Sequence, residues 1–452
     1  MSSADALFWR LETDPLMRST ASAVALLDRA PDRELLREKL RRAARAIPRL
    51  RQRVVVSPLS YATPVWETDP YFDLSYHLRW VRAPGDRSLH AVQDMAGPLA
   101  MQGFDRARPP WEFTVVEDLQ EGRAAVIQKM HHSVTDGAAG VMLMQRVYDL
   151  APDAPFPDEV PPDPVTDVER NGWLRAAHAL RRRVERRVRL ARRVARGAVT
   201  FARSPITTTH RSLTDLASVA HIFAPGLEPL SPIMRDRSTC YRFESLVVPL
   251  AGLKDAAHAA GCKLNDAFLA ALAEGWRGYH GHHGVEVERL RMTMPIDARG
   301  SSSEKVAGNR IKIGRLLIPL SIRDPRQRMR RIRELAARER AEPGLQYMDT
   351  VMDTLNVLPT SLLLAAFSPV LKGTDFVASC VRGLASPLYI AGARVESLFA
   401  FGPTAGAAAN FTLFSYRDQA DVTLNADAAA IPDPDVLIEY MRKGFDDVLG
   451  CA

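Results

Sequence analysis

Cysteine is scarce in this chain. Cys240, Cys262, Cys380 and Cys451 are scattered over 452 residues and form no CxxC pair, so neither a disulfide framework nor a structural zinc site is expected. Long apolar runs are also missing. The longest, such as Leu362–Phe367, fall far short of the roughly 20 residues a membrane span needs. No basic stretch followed by an apolar one opens the chain, so no signal peptide is read there. The sequence has no GxSxG elbow, Walker loop or GxGxxG turn, which disfavours a serine hydrolase, an NTPase and a dinucleotide enzyme. A reducing cytoplasm fits these absences.

A hydrophobic fraction of 46% and a charged fraction of 25% suit a folded protein, and the length favours two domains. The net charge of +7 is local in origin. Residues 173–203 hold eleven arginines and one glutamate, a charge of +10, which leaves a slight acidic excess elsewhere. A generally basic, nucleic-acid-binding surface is therefore disfavoured.

Three regions follow from texture. Residues 1–150 read as mixed α/β, with a helix at Glu34–Ala46, a buried strand at Ala124–Met130 and a helix at Ala138–Leu150. Residues 151–210 form a break. Six prolines between Pro152 and Pro164 forbid a helix, and an arginine-rich helix follows. Its apolar seam, Trp173, Ala177, Leu180, Val184, Val188, Ala191, Ala195 and Val199, steps by three or four residues. Residues 211–452 read as a second α/β unit. Strands are expected at Arg242–Pro249, Ile311–Leu320, Asn410–Tyr416 and Ala420–Leu424, and helices at Gly252–Ala260, Asn265–Tyr279 and Asp435–Leu449.

The run His131-His132-Ser133-Val134-Thr135-Asp136-Gly137 lies between an expected strand and an expected helix, where the core holds both flanks. Acyl transfer to an alcohol needs a base that removes the hydroxyl proton as the oxygen attacks. An imidazole, with an unperturbed pKa of about 6.5, does this near neutral pH. Asp136 would fix the loop, and Gly137 permits a close backbone approach. On spacing alone, an ordinary histidine pair stays open beside catalysis. Metal binding by His132 and Asp136 finds no third ligand nearby. Asn265-Asp266 reads equally as a helix N-cap or a functional pair. His280, His282 and His283 sit among glycines and read as a surface turn, and Ser415-Tyr416 reads as structural.

The His131–Gly137 run resembles the HHxxxDG motif of the bacterial wax ester synthase/diacylglycerol acyltransferase family, within the group that shares the chloramphenicol acetyltransferase and condensation-domain fold. Further segments match that family in order. Asp5–Thr13 resembles its opening. Phe72–His77 matches FDxxYH, and Pro109-Pro110-Trp111 is similar to PLW. Asn265-Asp266 matches the ND helix. Pro295–Arg299 with Gly308-Asn309, then Pro387–Tyr389, Ser415-Tyr416 and Pro432-Asp433, match the rest. One stretch departs: Cys380-Val381-Arg382-Gly383 stands where the family has Asn-Val-Pro-Gly.

The resemblance implies two acetyltransferase-like α/β lobes with mixed sheets and a tunnel between them. It implies transfer from acyl-CoA to diacylglycerol or a fatty alcohol with no cofactor or metal. His132 would be the base beside His131, with Asp136 and Gly137 in the motif and Arg299 a partner of Asp136. Asn265, Asp266 and Trp111 would hold substrate or support the site, and the altered 380–383 loop would shape the second half of the tunnel. Such an enzyme meets lipid substrates at a surface. The 173–203 helix, with Trp173, Arg181, Arg182, Arg183, Arg186 and Arg187, is accordingly expected on an anionic membrane or lipid droplet, peripherally and from the cytoplasm. Two alternatives stay open. One is the same fold acting on another acceptor or a carrier-bound donor. The other is a lipid-surface binding protein with a decayed site.

Overall fold

A computed structural model describes residues 1–56, 64–134, 143–156, 181, 226, 228–297, 311–341, 348–356 and 358–452. The first half runs α1 (Ser3–Leu11), β1 (Thr20–Leu27), α2 (Arg33–Ala46), β2 (Gln52–Val55), β3 (Val65–Thr68), α3 (Leu74–His77), β4 (Leu78–Arg82), α4 (Leu89–Met101), β5 (Trp111–Glu117), β6 (Ala124–His131) and β7 (Tyr148–Asp149). The second runs β8 (Tyr241–Pro249), α5 (Leu250–Ala259), α6 (Leu264–His282), β9 (Arg289–Asp297), β10 (Ile311–Pro319), α7 (Pro325–Arg340), α8 (Met348–Leu355) and α9 (Thr360–Lys372). It ends with β11 (Phe376–Arg382), β12 (Tyr389–Ile390), β13 (Ala393–Phe401), β14 (Ala409–Tyr416), β15 (Gln419–Asp427) and α10 (Pro434–Leu449).

Local chemistry explains where these elements begin. The Asp32 carboxylate accepts the Leu35 N–H at 2.7 Å and starts α2, whose Leu36, Leu40, Ala43 and Ala44 are buried while its arginines lie outside. Asp324 caps α7 in the same way through the Gln327 N–H, with Pro325 as the first helical residue. Strand β6 is apolar on both faces until Gln128, as expected of a strand covered on both sides.

Two mixed sheets form the two lobes of an α/β architecture. A seven-stranded sheet has the order β4-β5-β6-β1-β13-β12-β7, and a six-stranded sheet the order β10-β9-β11-β14-β15-β8. Strands β12 and β13, late in the chain, thus belong to the sheet built mainly by residues 1–150. Alternate residues of β15 reach across to the backbone of β13. The Asp421 carboxylate accepts the Leu398 N–H at 2.9 Å, Thr423 Oγ1 donates to the Ala400 carbonyl, and Asn425 Nδ2 donates to the Gly402 carbonyl at 2.9 Å. This side-chain zipper fastens the sheets together. An apolar seam beside it stacks Phe243 of β8 on Phe401 of β13 with centroids 4.0 Å apart. Helix α4 meets β8 at Gly97, where a Cβ would stand 2.7 Å from the Tyr241 carbonyl oxygen, so only glycine permits the approach.

Among the described residues the expected elements are present within a few residues of their sequence limits, with two corrections; the helix expected over 173–203 lies outside them apart from Arg181. The helix expected at Ala138–Leu150 is helical over 143–147 but gives way to strand at Tyr148–Asp149, which pairs with β12. Residues 138–142 lie outside the described residues. The loop expected at Cys380–Gly383 is strand as far as Arg382, paired in parallel with β14 through Arg382↔Ser415. Against β9, however, β11 pairs only at Phe376↔Met292 and Val377↔Thr293, so the two strands part just before Cys380.

Candidate active site

Strand β6 delivers the histidine pair. It is held between β1, with Thr20 opposite His131, and β5, with Trp111 opposite Met130. The His131 N–H donates to the Pro110 carbonyl at 3.0 Å, and the His132 N–H to the Ser19 carbonyl at 2.8 Å. The Val134 N–H then closes a turn onto the His131 carbonyl at 2.9 Å. The backbone at position 132 is therefore fixed by the segments that lead into β1 and β5.

The two rings have different surroundings. His131 is fully buried. Its Nδ1 lies 2.6 Å from Ser133 Oγ and accepts the Ser133 N–H at 3.1 Å, which leaves the proton of a neutral ring on Nε2. That nitrogen faces Glu12 Oε1 at 3.2 Å. Glu12 closes the C-terminus of α1 and accepts the Ser19 N–H at 2.6 Å. Burial alone would raise its pKa, but His131, the Ser19 N–H and Arg18 outweigh it and hold the carboxyl below its ordinary value. The Trp9 ring meets His131 edge-on at 4.8 Å.

His132 is half-buried, with the Phe8 ring 5.8 Å away. Its pKa is pushed down to about 4, by desolvation first and by the neighbouring His131 second. The ring is thus neutral at pH 7. Lys129, two residues before His131 on the same strand face, is also buried. Its Nζ lies 4.4 Å from the Phe104 centroid and 3.9 Å from Glu112 Oε1, and desolvation pushes its pKa down to about 8 against the pull of Glu112.

Two of the sequence motifs form one support beneath this strand. His77 stacks on Trp111 with centroids 4.4 Å apart, and its Nδ1–H donates to the Trp111 carbonyl at 2.7 Å. Trp111 Nε1 donates to the Leu50 carbonyl at 2.8 Å, and Phe72 stacks against His77 with centroids 5.2 Å apart. Burial pushes His77 down to about 4. Trp111 is therefore a structural support buried in the lobe.

Comparison with known proteins is decisive for the family. Residues 1–268 match the model of the wax ester synthase/diacylglycerol acyltransferase catalytic domain, and residues 307–448 match the WS/DGAT C-terminal domain. The chain belongs to the wax ester synthase/diacylglycerol acyltransferase family. It is 34% identical, over 99% of its length and 91% of the other, to a Mycobacterium tuberculosis H37Rv protein that provisionally bears the name diacylglycerol O-acyltransferase. Its fold is similar to that of the wax ester synthase/diacylglycerol acyltransferase from Marinobacter aquaeolei VT8, with a TM-score of 0.65 and 19% identity, covering 98% of this chain and 97% of that one. A mutant starter condensation domain of rhizomide synthetase RzmA, in complex with C8-CoA, gives a TM-score of 0.60 at 12% identity and covers 100% of this chain and 94% of that one. The chain is thus an acyltransferase by family, and its two-lobed architecture is the one these structures share.

The remaining family motifs fall into distinct places. Asp266 is 2% exposed and accepts the Lys263 N–H at 2.9 Å, so it closes the first turn of α6, and burial raises its carboxyl pKa. Asn265 is half-buried, and its Nδ2 has no hydrogen-bond partner among the described residues. Asp136, Gly137 and Arg299 lie outside the described residues, as do Trp173, Arg182, Arg183, Arg186 and Arg187; Arg181 alone of that helix is described, and it is exposed. The Tyr416 hydroxyl donates to the Val395 carbonyl at 3.1 Å and accepts the Leu388 N–H at 2.8 Å, which ties β14 to the Pro387–Tyr389 segment. Gly383 is required where it stands, since a Cβ there would lie 2.1 Å from the Ser415 carbonyl oxygen. His280 is not in a surface turn. It lies in the last part of α6, 1% exposed, with Nδ1–H on the Trp276 carbonyl and Nε2 2.8 Å from Ser231 Oγ. The glycines that suggested a turn fall on or just beyond the helix, whose inner face continues through Tyr279 and His280.

Sequence reading assigned no role to Glu12 or Ser133. Ser133 lay inside the motif, but a serine between a histidine pair and an aspartate signals nothing by itself. Glu12 is distant in sequence and reaches His131 only because β1 pairs with β6.

Proposed function

We propose that the chain transfers a fatty acyl group from acyl-CoA to the hydroxyl of a lipid alcohol, with diacylglycerol as the main acceptor and a long-chain fatty alcohol as a second. The observation that carries this reading is the neutral imidazole of His132, pinned by its backbone at the end of a central strand. In the reaction His132 takes the acceptor's hydroxyl proton as that oxygen bonds to the thioester carbonyl carbon. The tetrahedral oxyanion collapses, the C–S bond breaks, and the imidazolium returns the proton to the leaving thiolate. A pKa near 4 makes the resting ring a weak base. Negative charge developing on the oxyanion beside it stabilises the imidazolium as the proton arrives.

His131 and Glu12 position this base. The carboxylate on Nε2 and Ser133 on Nδ1 fix the first ring, and that ring fixes the turn that carries the second. Asn265, with an uncommitted amide, is suited to donate to substrate. The reaction needs no metal or cofactor beyond acyl-CoA as co-substrate. Among the described residues no helix is long and apolar enough to cross a membrane. Access to a lipid acceptor is then assigned to peripheral association of the arginine-rich 173–203 segment with an anionic membrane or droplet on the cytoplasmic side.

The test is release of free CoA thiol from palmitoyl-CoA with dioleoylglycerol or hexadecanol. His132→Ala, with an unchanged circular dichroism spectrum, is expected to lose about 10²–10⁴ in rate. Undiminished release in that variant refutes the role of the ring. A second reading keeps the fold and changes the acceptor or uses a carrier-bound donor. It is favoured by Cys380 and Arg382, which replace Asn and Pro of the family pattern where β11 parts from β9. Thiol release that needs neither lipid alcohol, but does need another acceptor, would select it.

A further inference from the structure

Helix α7 carries a basic face that the catalytic proposal does not use. Arg330, Arg333 and Arg340 are exposed along it, and Lys263 is exposed at the start of α6. The two helices meet here, since Arg330 Nε donates to the Ala260 carbonyl at 3.1 Å. Arg333 and Arg330 lie within electrostatic reach of the Cys262 thiol, and Arg340, Arg333 and Lys263 within reach of the Asp266 carboxyl. Four cations therefore surround the first turn of a 19-residue helix.

Little opposes them. Glu334 pairs with Arg331 at 2.9 Å, and Glu339 is buried with its Oε1 on the Arg315 N–H at 2.9 Å. Asp266 is buried and its Oδ2 is engaged by the Lys263 N–H. Among the described residues no carboxylate forms an ion pair with Arg333, Arg340 or Lys263. The same turn holds the partnerless Nδ2 of Asn265. Cationic side chains, the positive end of a helix and an amide donor thus lie about the first turn of α6.

We infer that Arg333, Arg340 and Lys263, with Arg330 behind them, bind the phosphates of the nucleotide end of the acyl-CoA donor. The inference rests on the acyl-CoA reading above and adds where the donor's charged end is held. A compact polyanion with several phosphates suits donors that converge on one helix turn. A lipid surface is less suited, because no large apolar side chain is exposed on α7 or on residues 260–266 to enter it. With the phosphates at the start of α6, Asn265 is the first uncommitted donor beside the pantetheine arm.

The experiment compares palmitoyl-CoA with palmitoyl-pantetheine, which delivers the same acyl thioester without the nucleotide phosphates. In Arg333→Gln/Arg340→Gln the KM for palmitoyl-CoA is expected to rise about tenfold, with kcat within about twofold. The KM for palmitoyl-pantetheine stays at the wild-type value. Raising salt to about 0.3 M raises the wild-type KM for palmitoyl-CoA and moves that of the variant less. The Arg333→Lys/Arg340→Lys protein, which keeps the charge, recovers most of the effect. It and the single Arg340→Gln variant carry the test if the double glutamine variant does not fold.

The inference is overturned if both donors lose affinity together or if neither does. It is overturned equally if the KM for palmitoyl-CoA is unchanged while sedimentation with phosphatidylglycerol vesicles is lost, which would give the patch to lipid headgroups. Should the wild type release no thiol from palmitoyl-CoA, the proposed reaction fails. Calorimetric titration of CoA into wild type and variant still reads the patch independently.

Discussion

The zipper between the two sheets contains a carboxyl group whose protonation can be followed directly. Asp421 is fully buried. One oxygen accepts the Leu398 N–H, and the other has no hydrogen-bond partner among the described residues. Burial raises its pKa from 3.8 to about 7, with the Leu398 N–H opposing. A folded-state pKa above the unfolded one means that the native protein holds this proton more tightly. The associated stability is complete below about pH 4 and is lost as pH rises through about 7. Its full size is about 4 kcal/mol, an upper figure, and about 2–3 kcal/mol of it falls between pH 5 and pH 8. Asp421→Asn keeps an oxygen for the Leu398 N–H and removes the titration. Relative to wild type, the variant is therefore expected to gain stability from pH 5 to about pH 7 and to level off above it. Thermal melting of both proteins across that range, at fixed ionic strength, measures the difference. An offset between the two melting temperatures that stays constant with pH would refute the argument, because Asp421 would then not change protonation there.

Glu12→Gln tests the partner of His131. The amide can still accept the Ser19 N–H but presents no charge to Nε2, so thiol release is expected to fall by about tenfold or more while the fold is retained; an unchanged kcat would remove Glu12 from the positioning of the base. In wild type, the carboxylate on His131 is lost only as pH falls through its lowered pKa, so this contribution is present at neutral pH and disappears on acidification below the ordinary carboxylate range. Deleting 173–203 is expected to abolish sedimentation with anionic liposomes at low salt and to leave thiol release from soluble substrates largely intact. Equal sedimentation of the deleted and full chains would place the membrane contact elsewhere.

The sequence revealed this fold where periodicity and burial coincide, and concealed it where tertiary pairing decides. Glu34–Ala46 and Asp435–Leu449 were legible because each has a one-sided apolar stripe and a starting residue that caps or presets the helix. Strand β6 was legible as a short continuous apolar run. Tyr148–Asp149 was not, because two residues carry no period, and they become strand only by pairing with β12 more than two hundred residues later. The same reason hid the strand at Cys380–Arg382, whose register is set by β14. At the site, His131 and His132 were legible as residues but not in their separate surroundings. That separation comes from strand pleat and turn: the last strand residue points into the lobe toward Glu12, and the first residue past the strand does not. Glu12 could not be found by spacing, since it and His131 are joined by the β1–β6 pairing and by the return of the chain through Ser19. The proposed chemistry therefore depends on a contact that no local pattern encodes. Substitutions on β1 that shift its register against β6 should impair the site as severely as substitutions in the histidine motif itself.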